Sequence, residues 1–226
     1  MKFIKYCFCW LLMMLSANCN VFASADYYMK VVLVGDYSSG KTAIWKRLKG
    51  TYYDGNEQRS DFMQSDSFVE NVKGNNVEFK IWDTAGADKY YDEVVKFTQG
   101  ANLVAIVHDI SKPFDGSGSS YLQKIYTDIH SKIQFDGKII LVGSKYDKRH
   151  DAIIDATNQV SLLKSVAKTI PCARIITSAK ENEGIQNLKK FIIESSKDMQ
   201  LYRQDPDNGI GVKAFEIRSG GFCTLL

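Results

Sequence analysis

The stretch Gly35-Asp36-Tyr37-Ser38-Ser39-Gly40-Lys41-Thr42 constrains this chain more than any other. It has the form GxxxxGK[ST] and joins two unlike patterns. Met29-Lys30-Val31-Val32-Leu33-Val34 before it is the apolar run of a buried strand, and Ala43-Ile44-Trp45-Lys46-Arg47-Leu48 after it reads as the first turns of a helix. Strand, small-residue loop and helix N-terminus in that order make a phosphate cradle. Backbone N–H groups from Asp36, Tyr37, Ser38, Ser39, Gly40, Lys41, Thr42 and Ala43 converge on phosphate oxygens, and the helix end adds partial positive charge. Lys41 supplies a point charge to β- and γ-phosphates, and the Thr42 hydroxyl is a ligand for Mg²⁺.

The rest of the chain alternates β-like and α-like segments. Strands are predicted at 29–34, 66–72, 77–82, 103–109, 138–143 and 173–177, and helices at about 41–49, 88–98, 120–134, 155–168 and 183–197. Lys73-Gly74-Asn75-Asn76 reads as a hairpin turn, which makes one strand antiparallel. Ser111 to Ser120, rich in Gly and Ser, reads as a flexible connector. The expected fold is therefore α/β: a six-stranded, mostly parallel sheet with one antiparallel strand and helices on both faces. Ligands of such sheets lie across the C-terminal ends of the strands. Three loops fall there. Asp83-Thr84-Ala85-Gly86 closes one strand, with Asp83 placed to hold Mg²⁺ and the Gly86 N–H to meet a γ-phosphate. Ser144-Lys145-Tyr146-Asp147 and Ser178-Ala179-Lys180 follow two others, where a base would sit.

GDYSSGKT at 35–42, WDTAG at 82–86, SKYD at 144–147 and TSAK at 177–180 occur in that order, each at a strand end. With these motifs the chain resembles the small GTPases of the Ras superfamily, and within it the Rab branch, over about residues 29–197. The P-loop GTPase fold follows from the resemblance, and so does a GTP/GDP switch that uses Mg²⁺. Such a protein hydrolyses GTP to GDP and phosphate and works in vesicle traffic or signalling. Effector, exchange-factor and activator proteins are its expected partners, and a monomer its expected state. Residue by residue, the resemblance gives Asp147 the guanine N1–H and exocyclic amine, a donor pair that adenine lacks. It gives Lys145 the covering of the base by its aliphatic stem, the Ala179 N–H the guanine O6, and Ser178 and Lys180 the support of that loop. Ser144 stands where the family has Asn, which predicts weaker nucleotide affinity with specificity kept.

The catalytic set, Lys41, Gly86 and the residue after it, departs further. Ala87 stands where the family usually has the Gln that orients the attacking water. Tyr37 replaces a small residue in the phosphate loop, where a ring crowds the approach of an activator's arginine. Slow intrinsic hydrolysis is the expectation, with a GTP-locked, partner-recruiting platform as the alternative. No Thr lies between Thr51 and Asp83, and Rab-like spacing places Ser60 at the metal-binding position of the first switch. Asp61 is an alternative oxygen donor there.

Composition agrees with one domain plus tails. The chain has 226 residues, 45% of them hydrophobic. With 29 basic against 26 acidic residues the net charge is only +3, so no nucleic-acid partner is expected. The segmentation is 1–25, 26–197 and 198–226. Residues 1–25 carry Lys2 and Lys5, an apolar run and Val21-Phe22-Ala23 before Ser24, the pattern of a signal peptide, which leaves secretion or an effector role open, of an anchor, or of an extension upstream of a start at Met29. Residues 198–226 read as a flexible tail ending Cys223-Thr224-Leu225-Leu226, a box that predicts a geranylgeranyl group on Cys223 and attachment to the cytosolic face of a membrane. Three of the five cysteines precede residue 20, which leaves the domain without a disulfide framework.

Overall fold

A computed structural model describes residues 25–55, 63–111, 117–133, 135–148, 173–203 and 212–214. The anchor-like segment up to residue 24, Ser60 and Asp61, the predicted helix at 155–168 and Cys223 lie outside these residues.

Six strands form the main path of the sheet: β1 (Tyr27–Val34), β2 (Gln64–Val72), β3 (Asn75–Asp83), β4 (Leu103–Asp109), β5 (Lys138–Ser144) and β6 (Ala173–Ile176). Their order is β2-β3-β1-β4-β5-β6, and every pairing is parallel except β2 with β3. The antiparallel pair is closed by a two-residue turn, since Val72 pairs with Asn75. Lys73 and Gly74 have φ of 51° and 87°, the left-handed pair that suits the twist of a tight hairpin.

Period-two alternation along β1 sorts its side chains onto two cores. Met29, Val31 and Leu33 join Ile44, Trp45 and Leu48 of α1 (Lys41–Leu48) and Ile185, Leu188 and Ile192 of a C-terminal helix. Val32 and Val34 join Val94 and Val95 of α2 (Tyr91–Phe97) and Leu122, Ile125 and Ile129 of α3 (Ser117–Ile133). The C-terminal helix is α4 (Ile185–Ser195), whose buried residues keep the three-and-four spacing of its sequence. Helices thus cover both faces, and β4 and β5, buried on both sides, read as continuous apolar runs for that reason.

Three local expectations change. The segment at 88–98 opens with a 3₁₀ turn, Asp88–Tyr90, before α2 begins. Residues 117–120, read as connector, form the first turn of α3; small residues weaken a helix but do not stop one that is packed further along. Leu201–Arg203, within the stretch read as a tail, forms β7, antiparallel to Tyr27 and Tyr28 of β1, and pairs in turn with β8 (Val212–Ala214). Leu201 is fully buried, and Asn102 ties the junction by accepting from the Lys30 N–H at 2.7 Å and donating to the Gln200 carbonyl at 2.7 Å. Among the described residues no helix is long and apolar enough to cross a membrane.

Candidate nucleotide site

The loops after β1, β3, β5 and β6 meet in one cleft at the C-terminal edge of the sheet. Ser38, Ser39, Gly40, Lys41, Thr42 and Ala43 line it from the phosphate loop, with Tyr37 at its mouth. Gly86 and Ala87 line one end, and Ser144, Lys145, Asp147, Ala179 and Lys180 the other. Fourteen positions of the motif loops could have scattered over the surface; the parallel strands gather them because each loop leaves the same sheet edge.

At the phosphate end Lys41 is buried, and its ammonium donates to the carbonyls of Gly35 and Asp36, both at 2.9 Å. Burial lowers its pKa to about 8, against the raising pull of Asp83 and Asp36. Asp36 contributes main chain rather than a lining side chain: its Oδ1 accepts from the Tyr37 N–H at 2.6 Å. Gly86 sits against the loop so closely that a Cβ there would lie 2.7 Å from Lys41 Nζ and 2.9 Å from the Asp36 carbonyl. Only a glycine fits this approach. Its neighbour Ala87 brings a methyl group, and Tyr37 is 43% exposed beside them.

Asp83 is fully buried beneath Thr42, whose hydroxyl donates to Asp83 Oδ2 at 2.7 Å. Gln64 Nε2 donates to the same oxygen at 3.0 Å from the start of β2. A hydroxyl and a carboxylate held this close, one buried and both oxygen donors, fit a hard divalent ion that takes its remaining oxygens from phosphate and water.

At the base end the side chains brace one another. Ser144 donates to the Ser39 carbonyl of the phosphate loop, and its hydroxyl is also 3.0 Å from the His108 carbonyl. Ser144, standing where the family has Asn, thus ties the base end to the phosphate loop. Lys145, with φ of 60°, runs past Gly40 and donates to Asp109 Oδ2 at 2.8 Å. Burial works against the Asp109 carboxylate, but Lys145 and Ser111 outweigh it and hold its pKa below the ordinary value. Asp147 Oδ1 accepts from the Ser178 hydroxyl at 2.7 Å. Ser178 is buried behind the cleft rather than in its wall. Backbone bonds of 3.0 Å in each direction join Ser178 to Glu183 and close the loop that carries Ala179 and Lys180.

The sequence reading missed four participants. Tyr53 and Lys148 line the cleft, Gln64 reaches Asp83, and Arg47 bonds to the Ala179 carbonyl. A second aromatic after Thr51 and a polar residue opening β2 were faint signals; Arg47 looked like any basic residue ending a helix.

The model of the Ras family matches residues 30–198. The chain belongs to the Ras family. Curated relatives of this Ras-family chain carry Rab names. Ras-related protein RabJ of Dictyostelium discoideum is 30% identical over 186 residues, 77% of this chain and 67% of that protein. Ras-related protein Rab-4 of the same organism is 26% identical over 164 residues, 72% and 76% of the two chains. Human Ras-related protein Rab-19 is 26% identical over 196 residues, 82% and 84%. The chain is thus a Rab-like small GTPase of the P-loop fold, and GTP binding and vesicle transport are functions of the group it joins.

Proposed function

We propose that this protein is a Rab-type switch that binds GTP and GDP with Mg²⁺ and hydrolyses GTP slowly at the cytosolic face of a membrane. One observation carries the reading: the cleft joins a braced base end to a phosphate end lined by Lys41, Gly86 and Ala87. Asp147 accepts from guanine N1–H and the amine, the Ala179 N–H donates to O6, and the Lys145 stem covers the ring. Backbone N–H groups of 36–43 hold the phosphates, and Lys41 spreads its charge over the β- and γ-oxygens. Thr42 and Asp83 would hold Mg²⁺, with Ser60 as a further ligand, and the ion would offset the charge that develops on the phosphate oxygens. The Gly86 N–H meets the γ-phosphate and turns when that group leaves, so the surface at about 52–70 and 87–98 reads the nucleotide state to effectors. A methyl at 87 orients no water, so the chemical step lacks the amide that the family usually supplies at that position.

The phenol of Tyr37 at the cleft mouth also favours a second reading, a GTP-loaded platform that recruits a partner with negligible turnover. A prenyl group on Cys223 anchors the monomer in either case, with residues 1–25 as a second attachment or a signal. One chain alone holds a membrane weakly. Isothermal titration of the full chain with GDP and with ADP in Mg²⁺ buffer tests the nucleotide reading. GDP binding about a hundredfold or more tighter than ADP is expected, since two hydrogen bonds to a carboxylate distinguish them. Equal affinities would refute it.

A further inference from the structure

Gln64 opens β2 and belongs to no motif, yet its side chain reaches the buried carboxylate of the phosphate end. The antiparallel register sets it opposite Asp83, the last residue of β3. Side chains directly opposite in such a pair share one face of the sheet. Gln64 Nε2 donates to Asp83 Oδ2 at 3.0 Å, and the Thr42 hydroxyl donates to the same oxygen at 2.7 Å. Three elements thus meet at one oxygen atom: α1 through Thr42, β3 through Asp83 and β2 through Gln64. Thr42 lines the cleft and Gln64 does not, so the amide acts on the carboxylate rather than on a ligand.

The shared oxygen matters because of what a metal asks of a hydroxyl. A hydroxyl that ligates a cation turns a lone pair to the ion and gives its proton to an acceptor. Thr42 gives that proton to Asp83 Oδ2, so the direction of its lone pairs follows the position of this oxygen. Asp83 is fully buried, and protein donors rather than bulk water hold its carboxylate in place. Gln64 holds it from a strand that carries neither Thr42 nor Asp83. Its amide is neutral, so it orients the carboxylate without cancelling the charge that attracts the ion, as a lysine there would. Hydrogen bonds of this kind orient metal-binding groups, and losing one costs roughly 10–100-fold in metal affinity.

We propose that Gln64 is a positioning residue for the divalent ion: by holding Asp83 Oδ2 against Thr42, it sets the affinity of the nucleotide complex for Mg²⁺. The inference rests on the Mg²⁺ reading above and adds to it a residue of β2 that touches neither ion nor nucleotide. It differs from a general brace of the sheet in acting only when the ion is present. A side chain that merely steadied β2 would act alike with and without it.

Two conditions separate these roles: excess EDTA, and a titration with Mg²⁺. GDP affinity is measured in both for the wild-type full chain, Gln64→Met and Gln64→Leu. Gln64→Met keeps the length of the side chain without its amide; Gln64→Leu carries the test alone if the methionine variant does not fold. The Mg²⁺ concentration that gives half of the ion's full effect on GDP affinity should rise about tenfold or more in either variant, the lower end of the range for a lost bond to a metal-binding group. Affinity in EDTA should change by less than about twofold, the scatter of independent effects. Equal losses in EDTA and in Mg²⁺, or an unchanged Mg²⁺ midpoint, would overturn the proposal while leaving the metal reading intact. A wild-type chain whose GDP affinity does not respond to Mg²⁺ would overturn both.

Discussion

The two ends of the cleft are built differently. At the base end, Ser144, Lys145, Asp147 and Arg47 each reach a partner on another element: the phosphate loop, β4, the loop after β6, and that loop again. At the γ-phosphate end the comparable positions are Gly86, Ala87 and Tyr37, and the wall near the reacting bond is main chain, a methyl and a ring. Holding a nucleotide needs complementarity in the ground state, whereas hydrolysing it needs groups placed for the transition state. A chain of this family can keep the first while losing much of the second, and the contrast between the ends predicts retained nucleotide binding with slow turnover.

The strongest way to break the contrast is at the base end. Asp147→Asn removes the charge and replaces one of the two carboxylate acceptors with a donor that would face a guanine donor, so GDP affinity should fall about a hundredfold or more, measured by competition titration. At the other end, Ala87→Gln restores a water-orienting amide. Single-turnover phosphate release should then rise about tenfold or more, towards the range of positioned proton-transfer groups, with GDP affinity unchanged. A drop in GDP affinity in that variant would show that the two ends are not separable.

Lys41 gives a pH test of the phosphate end. Its pKa in the free cleft is about 8, lowered from 10.5 by burial. Only the ammonium form pairs with phosphate, and bound phosphate raises the pKa again. Affinity is therefore full below pH 8 and falls as pH rises above it, by up to about tenfold per unit until the pKa of the complex is reached. Titration of GDP between pH 7 and 9.5 reads this; a flat profile would mean that Lys41 is not perturbed. The smallest expected effect concerns α2, beside the γ-phosphate end. The Tyr91 hydroxyl donates to Asp128 Oδ2 of α3 at 2.9 Å. Tyr91→Phe should cost about 1 kcal/mol in chemical denaturation and leave nucleotide affinity unchanged.

Much of this architecture is visible before any coordinates. Apolar runs at 29–34, 103–109 and 138–143 mark strands covered on both faces, and each motif loop follows one of the strands. What stays hidden depends on contacts remote in sequence. Arg47 lies 132 positions from Ala179, and nothing in its helical neighbourhood announces that pairing. Gln64 acquires its role only because β2 folds back along β3 in a register that sets it opposite Asp83. Leu201–Arg203 follows the last helix with too few apolar residues to be read as a strand, and becomes one because β1 extends past the start of β4 and offers its edge. Ala87 and Tyr37 were legible as departures, since a motif fixes what should stand in each place.

The central claim is that this chain holds guanine nucleotide but turns it over slowly. Its most direct test is single-turnover phosphate release from the full-length protein loaded with GTP, run beside Ala87→Gln. Retained GTP in the wild type, with release at least about tenfold slower than in the variant, is the predicted result. Release from the wild type as fast as from Ala87→Gln would contradict the account, because some group other than the residue at 87 would then be positioning the water.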